Sequence, residues 1–184
     1  MKRPIIGITM GDPAGIGAEI TVKALSKKEI YKKSKPIVIG SKSVIDDALK
    51  FIPSNLKLNL IKDIKEIKGE FGIIDLIDLD NIKLDEFNYG KVSKKAGEAS
   101  LEYIYRGIDL AIEGLVDAVV TGPIHKEAIK AAGSLYTGHT EIFASRTKTK
   151  NYAMMLADKN LRVIHVSTHV SLRQACDLVK KNGF

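Results

Sequence analysis

Tryptophan is absent from the chain, cysteine occurs once, and aromatic residues make up only 6% of the 184 positions. A single cysteine excludes an internal disulfide. That residue, Cys176, lies in the helix-patterned stretch LRQACDLVKK with no neighbouring histidine to activate it, so a buried, inert thiol is expected. Arginine is scarce as well, with five in the chain, and few aromatics stand near the lysines. Nucleic-acid sites pair clustered basic residues with exposed aromatics, so no nucleic-acid partner is expected. No apolar run approaches the roughly 20 residues of a membrane span, which argues against a membrane partner. The start, MKRPIIGITMGD, is basic but holds only about six apolar residues before Gly11 and Asp12, too few for a signal peptide. It reads as a first strand retained in a cytoplasmic protein.

What is present is a balanced globular composition, 45% hydrophobic and 28% charged, enough to build a real core at this length. The net charge of +7 comes mainly from scattered lysine pairs such as Lys27 and Lys28 or Lys180 and Lys181. They suit a solvated surface with some attraction for anionic metabolites.

Apolar runs of strand length alternate with segments of helical period, which predicts an α/β fold with a mostly parallel sheet flanked by helices. The strands are expected at 4–10, 36–40, 56–61, 71–77, 117–122, 151–157 and 161–168, and the helices at 16–28, 42–51, 93–115, 125–132, 140–148 and 171–182. In the longest helix Ala96, Ala99, Leu101, Ile104, Ile108, Ala111 and Ile112 fall near one face at steps of three and four. The stretch from Asp78 to Gly90 is polar and aperiodic, which places a candidate sub-domain boundary near 78–92. The chain closes on LVKKNGF, whose Asn-Gly reads as a helix C-cap, the expected look of a truncated α/β chain.

Four segments carry candidate chemistry. GDPAGIGAE follows the first strand and opens a helix, so Gly11, Gly15 and Gly17 suit either a phosphate cradle or a purely structural turn, and Asp12 either caps that helix or lines a cleft. TGPIHKEA again joins a strand end to a helix start, where ligands collect in open α/β sheets. Thr121, His125 and Lys126 are therefore candidates to line a cleft, against the alternative that Pro123 begins the first turn and His125 caps or decorates it. In TGHTE, Thr140 suits a cap and Glu141 suits the helix dipole, but neither role explains His139. In VIHVSTHVSL the histidines at 165 and 169 are four apart on a strand, about 13 Å, too far to share a metal. His165 reads as a satisfied residue in or beside the sheet, and His169, past the strand's end, as the better metal ligand.

Taken in order, GDPAGIGAE, VVTGPIHKEAI, TGHTE, an MML strand and STHVSLRQAC resemble the family of 4-hydroxythreonine-4-phosphate dehydrogenases of vitamin B6 biosynthesis. HVSTHVSL looks at least as similar to the sister branch that oxidises 4-phospho-D-threonate or 4-phospho-D-erythronate. The resemblance implies a fold like that of isocitrate and isopropylmalate dehydrogenases, a cleft between two domains, and a homodimer whose partner completes the active site. It further implies His139 and Thr140 as substrate-binding residues, and His169 as one of three histidine ligands of a divalent ion (Zn, Mg, Co or Mn). The expected reaction is metal-assisted oxidation of 4-phosphooxy-L-threonine by NAD, or NADP, followed by decarboxylation, with 4-phospho-D-threonate or 4-phospho-D-erythronate as the alternative small phosphorylated hydroxy-acid substrate. Family members are nearly twice as long, so residues 1–184 are expected to be the N-terminal half of a two-domain subunit. A non-catalytic homologue keeping only anion-binding or dimerisation capacity is the other expectation.

Overall fold

The computed structural model describes residues 3–167 and 170–179. Five strands form one fully parallel sheet: β1 (Ile5–Thr9), β2 (Lys35–Gly40), β3 (Lys57–Leu60), β4 (Ile73–Asp78) and β5 (Ala118–Thr121), in the order β3-β4-β2-β1-β5. β1 lies between β2 and β5, with Gly7 opposite both Ile37 and Val119. The Ile and Val of β2 are fully buried, as expected of a parallel strand covered on both faces. Helices α1 (Gly17–Leu25), α2 (Lys28–Lys33), α3 (Lys42–Phe51) and α4 (Lys94–Ile112) connect these strands. α4 approaches the sheet closely because Gly107 faces it: a Cβ there would stand 3.0 Å from Cγ2 of Thr9.

A second, smaller core gathers Leu101, Ile104 and Ile108 of α4 with Ile129 of α5 (Lys126–Ala131) and Ile142 of α6 (His139–Arg146). The crossing of α4 and α5 is tight enough that a Cβ on Gly97 would meet the carbonyl oxygen of Ala128 at 2.2 Å. Asp78 to Gly90 packs on the main core through buried Ile82 and Phe87, and Ser41 Oγ donates to the carbonyl of Ile82. None of the helices among the described residues is long and apolar enough to cross a membrane.

Three expectations are corrected. The helix expected over 16–28 breaks after α1. There the Ser26 hydroxyl donates to the carbonyl of Val22 and Lys27 is extended, and the chain restarts as α2 to bury Tyr31, whose OH donates to the carbonyl of Ile73. The strands expected over 151–157 and 161–168 shrink to β6 (Met155–Ala157) and β7 (Arg162–Ile164), which pair antiparallel as a ribbon separate from the parallel sheet. The reason is the short connection: Asp158 and Leu161 exchange backbone hydrogen bonds around a two-residue turn, too short for a parallel crossover. Lastly, Cys176 is exposed rather than buried, because α7 (Leu172–Leu178) buries none of its residues. Ser171 and Gln174 close a capping box at its start.

Candidate functional site

The carboxyl ends of β1 and β5 are bolted together. The Asp12 N–H donates to the carbonyl of Pro123 at 2.9 Å, and the Gly122 N–H to that of Thr9 at 2.8 Å. A Cβ on Gly11, which has φ of +84°, would lie 2.4 Å from the Pro123 oxygen, and one on Gly17 would lie 2.0 Å from the Met10 oxygen. These two glycines are therefore required by backbone packing, and the structural reading of GDPAGIGAE accounts for them without a ligand.

Two clefts open beside this junction. The smaller, about 260 Å³, is lined by Asp12, Lys91 and His125 among others, and the larger, about 1030 Å³, by Lys126, His139, Thr140, Glu141, Met154 and His165. Pro123 and Ile124 belong to both and form the partition between them. The structure thus brings Asp12 and His125 together on one side, and Lys126, His139 and Thr140 together on the other. Thr121 ends β5 opposite Thr9.

Asp12 is 5% exposed, and its Oδ1 accepts the Ala14 N–H at 2.8 Å, so it caps its own turn rather than helix α1. Burial raises its pKa above the ordinary carboxylate value, against the lowering effects of the Ala14 N–H and of His125. His125 precedes α5 but makes no side-chain cap.

His139 opens α6 after an extended Gly138. The helix begins one residue earlier than expected, so the N-cap falls on Gly138, which has no side chain to offer. Thr140 therefore lies in the first turn and does not cap it, a correction, while Glu141 takes its dipole-favoured place there. Burial lowers the pKa of His139, and its buried Nε2 has no hydrogen-bond partner among the described residues. A neutral imidazole with an unpartnered ring nitrogen can donate to or accept from a bound oxygen.

His165 is the residue that sequence reasoning set aside. It is exposed and follows β7 by one position, rather than being satisfied in a sheet. Pairing of Met155 with Ile164 makes Met154 and His165 the next facing positions, and these two line the larger cleft together with Ser167. Alternation along the strands, together with the short turn at 158–161, was the signal available. His169 lies outside the described residues. Among the described residues no three His, Cys, Asp or Glu side chains gather as a metal site, so these residues alone do not make one.

Residues 32–184 match the family described as "Pyridoxal phosphate biosynthetic protein PdxA". A Clostridium botulinum protein carrying the provisional name D-threonate 4-phosphate dehydrogenase is 49% identical over 180 residues, 98% of this chain and 54% of its own length. The crystal structure of a 4-hydroxythreonine-4-phosphate dehydrogenase from Burkholderia phymatum superposes with a TM-score of 0.88 at 42% identity, over 95% of this chain and 52% of that one. The corresponding Klebsiella pneumoniae enzyme gives 0.87 at 38% identity, over 95% and 53%. The chain spans about half the length of the curated relatives it matches. With a family match over most of its length and this agreement in fold, the chain belongs to the PdxA family.

Proposed function

We propose that this chain supplies one half of the active site of a cytoplasmic, NAD-dependent dehydrogenase that oxidises a phosphorylated four-carbon hydroxy acid. D-threonate 4-phosphate is the favoured substrate and 4-phosphooxy-L-threonine the second, since the more similar curated relatives carry the first name. The observation that carries the reading is the imidazole of His139, desolvated and unpartnered at Nε2, in the lining of a cleft beyond the carboxyl ends of the strands. His139 and Thr140 bind substrate oxygens there, and Lys126 offsets the charge of a phosphate or carboxylate.

The overall reaction would take a hydride from the hydroxyl-bearing carbon and a proton from its oxygen, and the β-keto acid so formed would lose carbon dioxide. NAD supplies the hydride acceptor when bound, with NADP the alternative; the residues of this chain position the substrate. His169 is proposed as one ligand of a divalent ion (Zn, Mg, Co or Mn) whose other ligands come from polypeptide corresponding to the remainder of the relatives' length. The reading includes a two-domain subunit, of which residues 1–184 form the N-terminal half, and a homodimer.

NADH formation by the chain together with the polypeptide corresponding to the remainder of the relatives' length is the test, with both substrates and with each divalent metal in turn. D-threonate 4-phosphate should be turned over faster, and His139→Ala should abolish most of that turnover. Undiminished turnover by His139→Ala would remove His139 from the site, and failure with both substrates would remove the substrate class.

A further inference from the structure

His165 is used by nothing described so far. It stands exposed on the cleft face of the β6–β7 ribbon, beside Met154 and Ser167, and makes no side-chain hydrogen bond or ion pair among the described residues. Residues at ordinary surface positions behave this way too, but His165 lines the same cleft as Lys126 and His139, which are held by α5 and α6. An extended four-carbon acid carries an anionic group at each end. Among the described residues lining the cleft, Lys126 is the one permanent cation, and the Glu141 carboxylate opposes an anion.

We infer that His165 is a substrate-binding residue, donating a hydrogen bond from the ribbon to one oxyanion of the substrate while α5 and α6 hold the rest. The inference rests on the proposal that this cleft takes a phosphorylated hydroxy acid. The oxyanion is either the phosphate or the carboxylate, and both recruit the imidazole through the same charge-assisted hydrogen bond. The ribbon thereby becomes part of the recognition surface rather than a connector, and the substrate is gripped between it and the helices α5 and α6.

The test uses the purified protein, its His165→Ala and His165→Gln variants, and three probes: D-threonate 4-phosphate, D-threonate and inorganic phosphate. Binding is followed by calorimetry and by the NMR signals of labelled histidine. His165→Ala should weaken D-threonate 4-phosphate about tenfold or more and raise KM by a similar factor while leaving kcat nearly unchanged. His165→Gln, which keeps a donor, should recover part of the loss. The fragment that shifts the His165 signal in the parent protein identifies the oxyanion. Parent-like binding of D-threonate 4-phosphate by His165→Ala, or failure of all three probes to bind the parent protein, would overturn the inference. Binding without turnover, with the polypeptide corresponding to the remainder of the relatives' length also supplied, would sink the dehydrogenase reading, while the binding comparison still decides the role of His165.

Discussion

Arg146, the last residue of α6, forms a two-pronged ion pair with Asp109 of α4, Nε at 2.9 Å and one terminal nitrogen at 2.8 Å, and its guanidinium lies 5.0 Å from the centre of the Tyr105 ring. Every other ion pair among the described residues joins positions three or four apart in sequence. This one ties two helices, and the helix it ties carries His139 at its opposite end. Because the pair is partly exposed, Arg146→Ala should cost only about 1 kcal/mol in a urea titration. Arg146→Lys should recover little of it, since a lysine cannot reproduce the planar fork. A loss near zero would mean that Ile142 and its apolar neighbours hold α6 alone.

His139 gives the protein an acid-sensitive component of stability. Its folded pKa lies below the ordinary value of 6.5, so as pH falls through about 6.5 the unfolded chain takes up a proton that the folded chain resists. Stability should therefore decline on acidification below that point and level off under the folded pKa. His139→Gln should flatten this part of the profile, read as denaturation midpoints from about pH 8 to about pH 5. An unchanged slope in the variant would assign the acid sensitivity to other groups.

Asp12 acts in the opposite sense, since burial raises its pKa and its ionised form is a cost borne at neutral pH. The folded state binds the extra proton between the ordinary and the raised value, so this contribution falls as pH rises through that window. Asp12→Asn keeps an oxygen for the Ala14 N–H and should be at least as stable as the parent at pH 7. Asp12→Ala should be less stable than Asp12→Asn by about 1 kcal/mol. Equal stability of the two variants would show that the Ala14 bond contributes nothing.

Two glycines separate crowding from backbone strain. Gly97→Ala drives a methyl into the backbone of Ala128 and should cost about 3 kcal/mol or prevent folding. Gly133 has φ of +90°, and a methyl there would meet nothing within 4 Å, so Gly133→Ala should cost only about 1 kcal/mol of backbone strain. Thermal unfolding of the two variants side by side decides it, and a reversed order would contradict the close crossing of α4 and α5.

The parallel sheet was legible because its strands are short β-branched runs set between helical segments, and IIGIT, KPIVIG and AVVT all fall where expected. The break between α1 and α2 was not, because Ser26 and Lys27 are tolerated in a helix and only the docking of Tyr31 requires the turn. MLA and RVI look alike in parallel and antiparallel pairing, so their direction rested on the turn between them. At the site, His139 stood out because no local role explained it. His165 did not, because its importance comes from the ribbon face it occupies, which depends on register. The meeting of Asp12 with His125 likewise needs β1 and β5 to be neighbours, a fact of topology.

Pro123 and Ile124 stand between the two clefts, and Pro123 is fastened to the turn after β1 by its carbonyl. The two chambers therefore share lining residues, and a substitution at Ile124 alters the wall of the space beside Asp12 and the wall of the larger cleft together.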